Sequence, residues 1–155
     1  MKKNFIKTME KSEIIKMIHH WSEVFNLPIK QELTMPDVER VHLAISLIDE
    51  ELQETKQAIV EKDLREIQDG LGDLLWVVVR AMMEFGIDPE KTIKAIYDSN
   101  MSKADVSEED ATITYKNYME QGIQTYCRER KGLFITYRVS DNKVLKSHKF
   151  KTPEL

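Results

Sequence analysis

The chain has 155 residues, 41% of them apolar, and a net charge of −4. That length suits one globular domain, and the modest acidic balance excludes an evident nucleic-acid or membrane-surface binder. Cys127 is the sole cysteine, which excludes an intrachain disulfide and sets the expectation of a reducing, cytoplasmic setting. The longest apolar run, 74–79, falls far short of the ~20 residues that cross a bilayer, so no membrane partner is expected. Met1-Lys2-Lys3 is basic but no apolar stretch follows it, so no signal peptide is expected either.

In chain order, Ile14, Ile15, Ile18, Trp21 and Phe25 fall near helical spacing and predict a first helix over 12–25, ended by Leu27-Pro28. A second helix is predicted from Pro36, since proline suits a first turn, to about Glu61. Its apolar stripe is Val41, Ile45, Ile48, Leu52 and Ile59. Lys62-Asp63 is the break. Asp63 is the expected cap of a third helix over 63–85, with Gly86 as its stop. Pro89 opens a fourth helix to about Met101. Ser107 and Asp110 have capping-box spacing and predict a fifth helix over 107–121, closed by Gly122. Three β-like segments follow, at 123–128, 133–139 and 144–150, with Ser140-Asp141-Asn142-Lys143 as a turn between the last two. The expected fold is mainly α: one domain over 1–155, a helical bundle core over about 12–103, then a C-terminal helix and a small antiparallel β meander over about 107–150.

The acids carry the chemistry. Asp49-Glu50-Glu51-Leu52-Gln53-Glu54 crowds four carboxylates into six residues, and Glu51 and Glu54, three apart, share a helix face. Glu66 and Asp69 repeat that spacing on the next helix, with Asp73 one turn further on. Glu51 and Glu54 lie on one line with Leu47 and Ala58. This stripe is apolar at both ends and is expected to turn at least partly inward. Glu66, Asp69 and Asp73 run beside the apolar line Ile67, Leu71, Leu74, Val78 and Met82, so they are expected to border the core. A solvated acidic face is the plainer alternative. Two antiparallel helices, however, aim four carboxylates at one point, and half-buried carboxylates need a partner, a proton or a metal. All-oxygen ligands suit a hard cation, Mg²⁺ or Mn²⁺. Zinc is not expected, because no Cys/His set has the spacing. His19 and His20 read as ordinary helix residues. A di-iron site would need Glu-x-x-His pairs, and neither acid pair ends in His.

EELQE, an 11-residue spacer (55–65) and EIQD together resemble the signature of the all-α nucleoside triphosphate pyrophosphohydrolases. This is the MazG-like family, similar to phosphoribosyl-ATP pyrophosphatase and the dimeric dUTPases. ERVHLAISLIDEELQE, DLREIQDGLGDLLWVV, FGID and SNMSK extend the resemblance over 14–103, and GIQTY…DNKVLKS continues it more loosely. The spacer is at or just under the family's shortest, which implies a tight helix–helix turn with little room for a substrate-specific loop.

The resemblance implies a MazG-like helical bundle and Mg²⁺-dependent cleavage of a nucleoside triphosphate to monophosphate and pyrophosphate, with a possible house-cleaning role toward (d)NTPs. It implies Glu51, Glu54, Glu66 and Asp69 as Mg²⁺ ligands and Glu50 as the acid that positions or deprotonates the attacking water. Asp73 would orient a ligand, hold a substrate hydroxyl or touch a second metal. Asn100 and Lys103 in SNMSK would contact the substrate. Phosphoribosyl-ATP pyrophosphohydrolysis is the nearest alternative, and a non-catalytic helical protein that binds metal or nucleotide is another. The third helix is apolar nearly all round over 74–79, so it needs cover on every side. Together with the resemblance this predicts a homo-oligomer, most simply a dimer.

Overall fold

The computed structural model describes residues 12–155; the basic Met1-Lys2-Lys3 stretch lies outside them. The described residues form five helices and one two-stranded antiparallel sheet, a mainly α architecture. The chain divides into two compact units, one up to Glu90 and one from Lys91. The boundary falls just inside the fourth helix, upstream of Lys103, where the sequence changes character.

The first unit holds α1 (Glu13–Val24), α2 (Val38–Glu61) and α3 (Leu64–Glu84). α2 begins two residues later than Pro36 predicts. Asp37, with extended ψ of 151°, takes the N-cap position and leaves the proline outside the helix. The turn between α2 and α3 is as tight as the short spacer implies. Lys62 adopts a left-handed conformation (φ 59°), and the Asp63 side chain accepts hydrogen bonds from the backbone N–H groups of Arg65 (3.0 Å) and Glu66 (3.2 Å). Two donors that the helix start leaves without partners are thereby satisfied.

α2 and α3 form the most extensive helix pair, and they pack tightly against each other at Gly70. A Cβ there would lie 2.5 Å from Thr55 Oγ1 and 3.3 Å from Thr55 Cα. The Thr55 hydroxyl donates back to the Glu51 carbonyl at 2.8 Å, so it is held in place. Ile18, Val79 and Met83 are buried at the heart of the unit, with Ile15, Ile29 and Trp76 packed against them. The segment between α1 and α2 is pinned to the end of α3: Lys30 N–H donates to the Met83 carbonyl and Thr34 N–H to the Phe85 carbonyl, both at 3.0 Å. Gly86 closes α3 at φ +69°, where a Cβ would come within 1.9 Å of the Glu32 carbonyl oxygen. Only glycine fits that crossing.

The second unit contains the rest of α4 (Pro89–Met101), α5 (Glu108–Glu120) and strands β1 (Thr125–Arg130) and β2 (Leu133–Arg138). Ser107 caps α5 by accepting from Asp110 N–H at 3.2 Å. Lys131 and Gly132, both at positive φ (53° and 76°), make the two-residue connection whose twist matches a hairpin. Tyr126 faces Tyr137 across it with rings stacked 5.1 Å apart.

The expected third strand over 144–150 does not form. It keeps one bridge, Tyr137 to Val144, and then leaves the sheet. The physical reason is a set of polar partners elsewhere. Ser147 Oγ donates to the buried Asp105 carboxylate, His148 N–H donates to Thr114 Oγ1 at 3.0 Å, and Lys149 Nζ reaches Asp110 at 2.7 Å. Those bonds to α5 and to the segment before it draw the chain off the ladder. No helix among the described residues is long and apolar enough to cross a membrane.

Candidate active site

The acids predicted from sequence lie on the α2–α3 hairpin of the first unit. Glu51 sits at their focus. Burial, then the charges of Asp73, Glu54, Glu50 and Asp69 in that order, push its carboxyl above the ordinary range. Four acids from two helices therefore act on one carboxylate. Glu66 is not one of those four; it lies in the first turn of α3, next to the Lys62-Asp63 turn. The Thr55–Gly70 contact accounts for the difference. Pairing those two positions in an antiparallel hairpin sets Glu51 opposite the turn that contains Asp73 and sets Glu66 opposite the end of α2.

The inward turn expected of the Leu47–Ala58 line is present at one end only. Ala58 is buried, whereas Leu47 stays 37% exposed. Glu51 is half-buried, and Glu50, Glu54, Glu66, Asp69 and Asp73 are exposed. Among the described residues no three His, Cys, Asp or Glu side chains are disposed to hold a metal ion together as they stand.

Beside the acids, one helical turn along both helices, lies a cavity of about 250 Å³. Leu47 of α2 and Val77 of α3 line its near end; Trp21 and Trp76, in edge-to-face contact at 5.6 Å, are also in its lining. Trp76 serves as both core cover and cavity lining. Arg40, Arg80 and Glu84 line the cavity as well. The Glu84 carboxylate, 5% exposed, accepts from both guanidinium groups. Burial holds Arg80 below the ordinary arginine range, with Glu84 opposing that shift and Arg40 adding to it. Two cations against one carboxylate leave this wall with a net positive charge and N–H donors to spare. Sequence reasoning passed over Arg40 and Glu84. The Arg80–Glu84 i,i+4 spacing was visible as a helix pair, but nothing local links Arg40 to it.

Asn100 and Lys103 belong to the second unit. Asn100 is exposed in the last turn of α4, and Lys103 is half-buried in the turn that follows.

The family model of phosphoribosyl-ATP pyrophosphohydrolase matches residues 19–100, just over half of the chain and all of the acidic hairpin. The chain belongs to this family. It therefore sits within the MazG-like superfamily of NTP pyrophosphohydrolases and carries a pyrophosphate-hydrolysing domain that acts on nucleotides. No curated protein matches the chain. The match ends at Asn100, so Lys103, α5 and the hairpin β1–β2 lie beyond what the phosphoribosyl-ATP pyrophosphohydrolase family model describes.

Proposed function

We propose that this protein is a Mg²⁺-dependent nucleoside triphosphate pyrophosphohydrolase that releases pyrophosphate in one piece and leaves the monophosphate. The observation that carries the reading is the concentration of acids from α2 and α3 around Glu51, within the region matched by the family. The donor set is all carboxylate oxygen, which fits Mg²⁺, with Mn²⁺ as a substitute. Burial and then the neighbouring acids raise Glu51, and a divalent cation relieves the repulsion among those acids. Binding requires the exposed side chains to rotate toward Glu51, which surface rotamers permit. Glu51, Glu54 and Asp69 are assigned to hold the ion, with Asp73 raised to equal standing by its place beside Glu51 and Glu66 completing the set. When bound, the ion neutralises charge on the phosphate oxygens.

The chain's own groups do the rest. Glu50, next in sequence to Glu51 but on another side of the helix, is assigned to take a proton from the attacking water. Lys103 supplies a point charge for phosphate and Asn100 a neutral hydrogen-bonding group. The cavity beside Trp21 and Trp76 is assigned to the nucleobase. Its apolar walls and aromatic rings suit a planar ring system, and its spare guanidinium donors favour bases that present carbonyl acceptors. Ala44 also lines this cavity, and Ala44→Trp fills it without altering the acids around Glu51. It is expected to raise KM for the preferred nucleotide roughly tenfold with metal affinity unchanged. An unaltered KM would put the base elsewhere.

The same features accommodate phosphoribosyl-ATP, which shares the triphosphate. A screen of standard and modified NTPs, dNTPs and phosphoribosyl-ATP with Mg²⁺, with separate detection of pyrophosphate and orthophosphate, tests the reading. Pyrophosphate as the first inorganic product is expected. Orthophosphate first, or no metal-dependent turnover of any nucleotide, would overturn it.

Self-association belongs to the same proposal. Leu71, Leu75 and Val78 of α3 and Ile45, Leu52 and Ile59 of α2 are exposed in the single chain. Apolar surface on that scale favours cover by a second copy. Light scattering at low micromolar concentration is expected to give at least twice the 18.2 kDa chain mass. An active monomer at that concentration would remove the claim.

A further inference from the structure

α4 ends at Met101 without a glycine cap, and the turn after it carries Ser102, Lys103 and Ala104. A helix end leaves carbonyl groups without intrahelical partners, and such ends fray unless something else binds them. Here the N–H groups of Ser102, Lys103 and Ala104 satisfy the last α4 carbonyls, and the C-terminal segment holds the turn that carries them. Ser147 N–H donates to the Lys103 carbonyl at 3.1 Å. Lys151 N–H donates to Ser102 Oγ at 2.9 Å, and the Ser102 hydroxyl donates to the Ser99 carbonyl at 2.7 Å. Ser99 Oγ donates to the Lys151 carbonyl at 2.9 Å. The buried Asp105, two residues after Lys103, accepts from Ser147 Oγ and from Thr114 Oγ1 on the same oxygen.

Further anchors hold the segment in place from outside the motif. Leu145 N–H donates to the Thr136 carbonyl at 2.8 Å. The Tyr118 hydroxyl both donates to the Lys146 carbonyl (3.0 Å) and accepts from its N–H (3.1 Å). Lys149 and His148 flank the Asp110 carboxylate. Of the lysines in this stretch, Lys149 is thus an anchor.

We propose that residues 145–151 are a positioning strap for the Asn100–Lys103 motif, with Ser102 and Ser147 as its clamps. The two serines of SNMSK point at the tail and leave Asn100 and Lys103 as the groups presented to a ligand. The strap explains why a segment of strand-like composition leaves the sheet. It also gives the chain beyond the matched family region a task in the same reaction. The inference rests on the proposed substrate contact of Lys103, and its test keeps the two apart.

The test uses the full-length chain. Ser102→Ala, Asp110→Asn and Lys103→Ala are compared by steady-state kinetics on the preferred triphosphate and by amide hydrogen exchange at residues 99–105. Ser102→Ala is expected to speed exchange there and to raise KM about fivefold with kcat within a factor of two, through loss of the hydroxyl's two hydrogen bonds, from Lys151 N–H and to the Ser99 carbonyl. Ser102→Thr, which restores the hydroxyl, is expected to return both readouts toward the parent. Asp110→Asn, remote from the motif, is expected to shift both readouts the same way by less, and it serves if Ser102→Ala does not fold. If Lys103→Ala leaves KM unchanged, the substrate contact and the strap's role both fall. If Lys103→Ala raises KM while Ser102→Ala and Asp110→Asn alter neither KM nor exchange, the contact stands and the strap is wrong.

Discussion

Glu51→Gln is expected to stabilise the metal-free protein and to disable it. The Glu51 carboxyl is pushed above its ordinary range by burial first, and then by Asp73, Glu54, Glu50 and Asp69. The folded state therefore holds this proton to a higher pH than the unfolded chain does. Stability from the protonated group is fully present below the unfolded pKa and is lost as pH rises through the folded one. Above the folded value the parent has lost it, whereas the neutral amide keeps it. Metal-free Glu51→Gln should consequently melt higher than the parent at pH 7, and the gap should close under acid. Turnover should fall by more than roughly 100-fold, since even groups that only support a metal ligand are worth about 10–100-fold. Glu50→Gln should lower turnover with a smaller effect on metal affinity. A metal-free Glu51→Gln protein less stable than the parent would mean that the acids do not repel one another as described. A Glu50→Gln enzyme at full rate would remove Glu50 as the base.

The second large effect is expected at Gly70. Helix propensity alone favours alanine over glycine by about 1 kcal/mol. Against that, a methyl group at Gly70 meets Thr55 Oγ1 at 2.5 Å and Thr55 Cα at 3.3 Å. The hydroxyl is held by its bond to the Glu51 carbonyl, and the Cα moves only if α2 moves. Overpacking of this kind costs about 1–3 kcal/mol, so the steric loss outweighs the propensity gain. Gly70→Val should therefore destabilise clearly in thermal melts and weaken metal binding, because it wedges apart the helices that carry the acids. Gly72 provides the control. A Cβ there meets nothing within 4 Å, so Gly72→Ala should stabilise by about 0.5–1 kcal/mol. Thr55→Ala should recover much of the loss in a Gly70→Ala background, a departure from additivity that locates the contact. Equal melting temperatures for Gly70→Val and the parent would show that the helices pack less closely than described.

Much of the hairpin was legible in the sequence because its determinants are local. Asp63 announces a helix start by its side-chain chemistry, Gly86 announces a stop, and Pro89–Met101 runs as its proline and apolar spacing predict. Pro36 misled by two residues because Asp37, with extended backbone, takes the N-cap position and the helix starts after it. The third β segment misled for another reason. Val144, Leu145 and Phe150 are strand-like, but Asp105, Asp110 and Thr114 lie 34 to 42 residues from their partners in sequence, and their pull is invisible in any short window. At the site, residue type and spacing identified every acid around Glu51. Their ranking was not legible. Whether Asp73 or Glu66 stands beside Glu51 depends on the register of the two helices, and that register is fixed by the Thr55–Gly70 contact. Arg40 and its link to Glu84 were likewise out of reach, since 44 residues separate them.

The brevity of the Lys62-Asp63 turn also bears on how the chain folds. α2 and α3 are consecutive, and their contacts span short stretches of sequence, so little loop entropy is lost in bringing them together. This pair is therefore an early-forming element, and the acids meet one another before most of the remaining chain has found its place. The repulsion is then already present on the way up the folding barrier. Salt, which screens such charges beyond about 10 Å at 0.1 M, should accordingly speed refolding more than it slows unfolding.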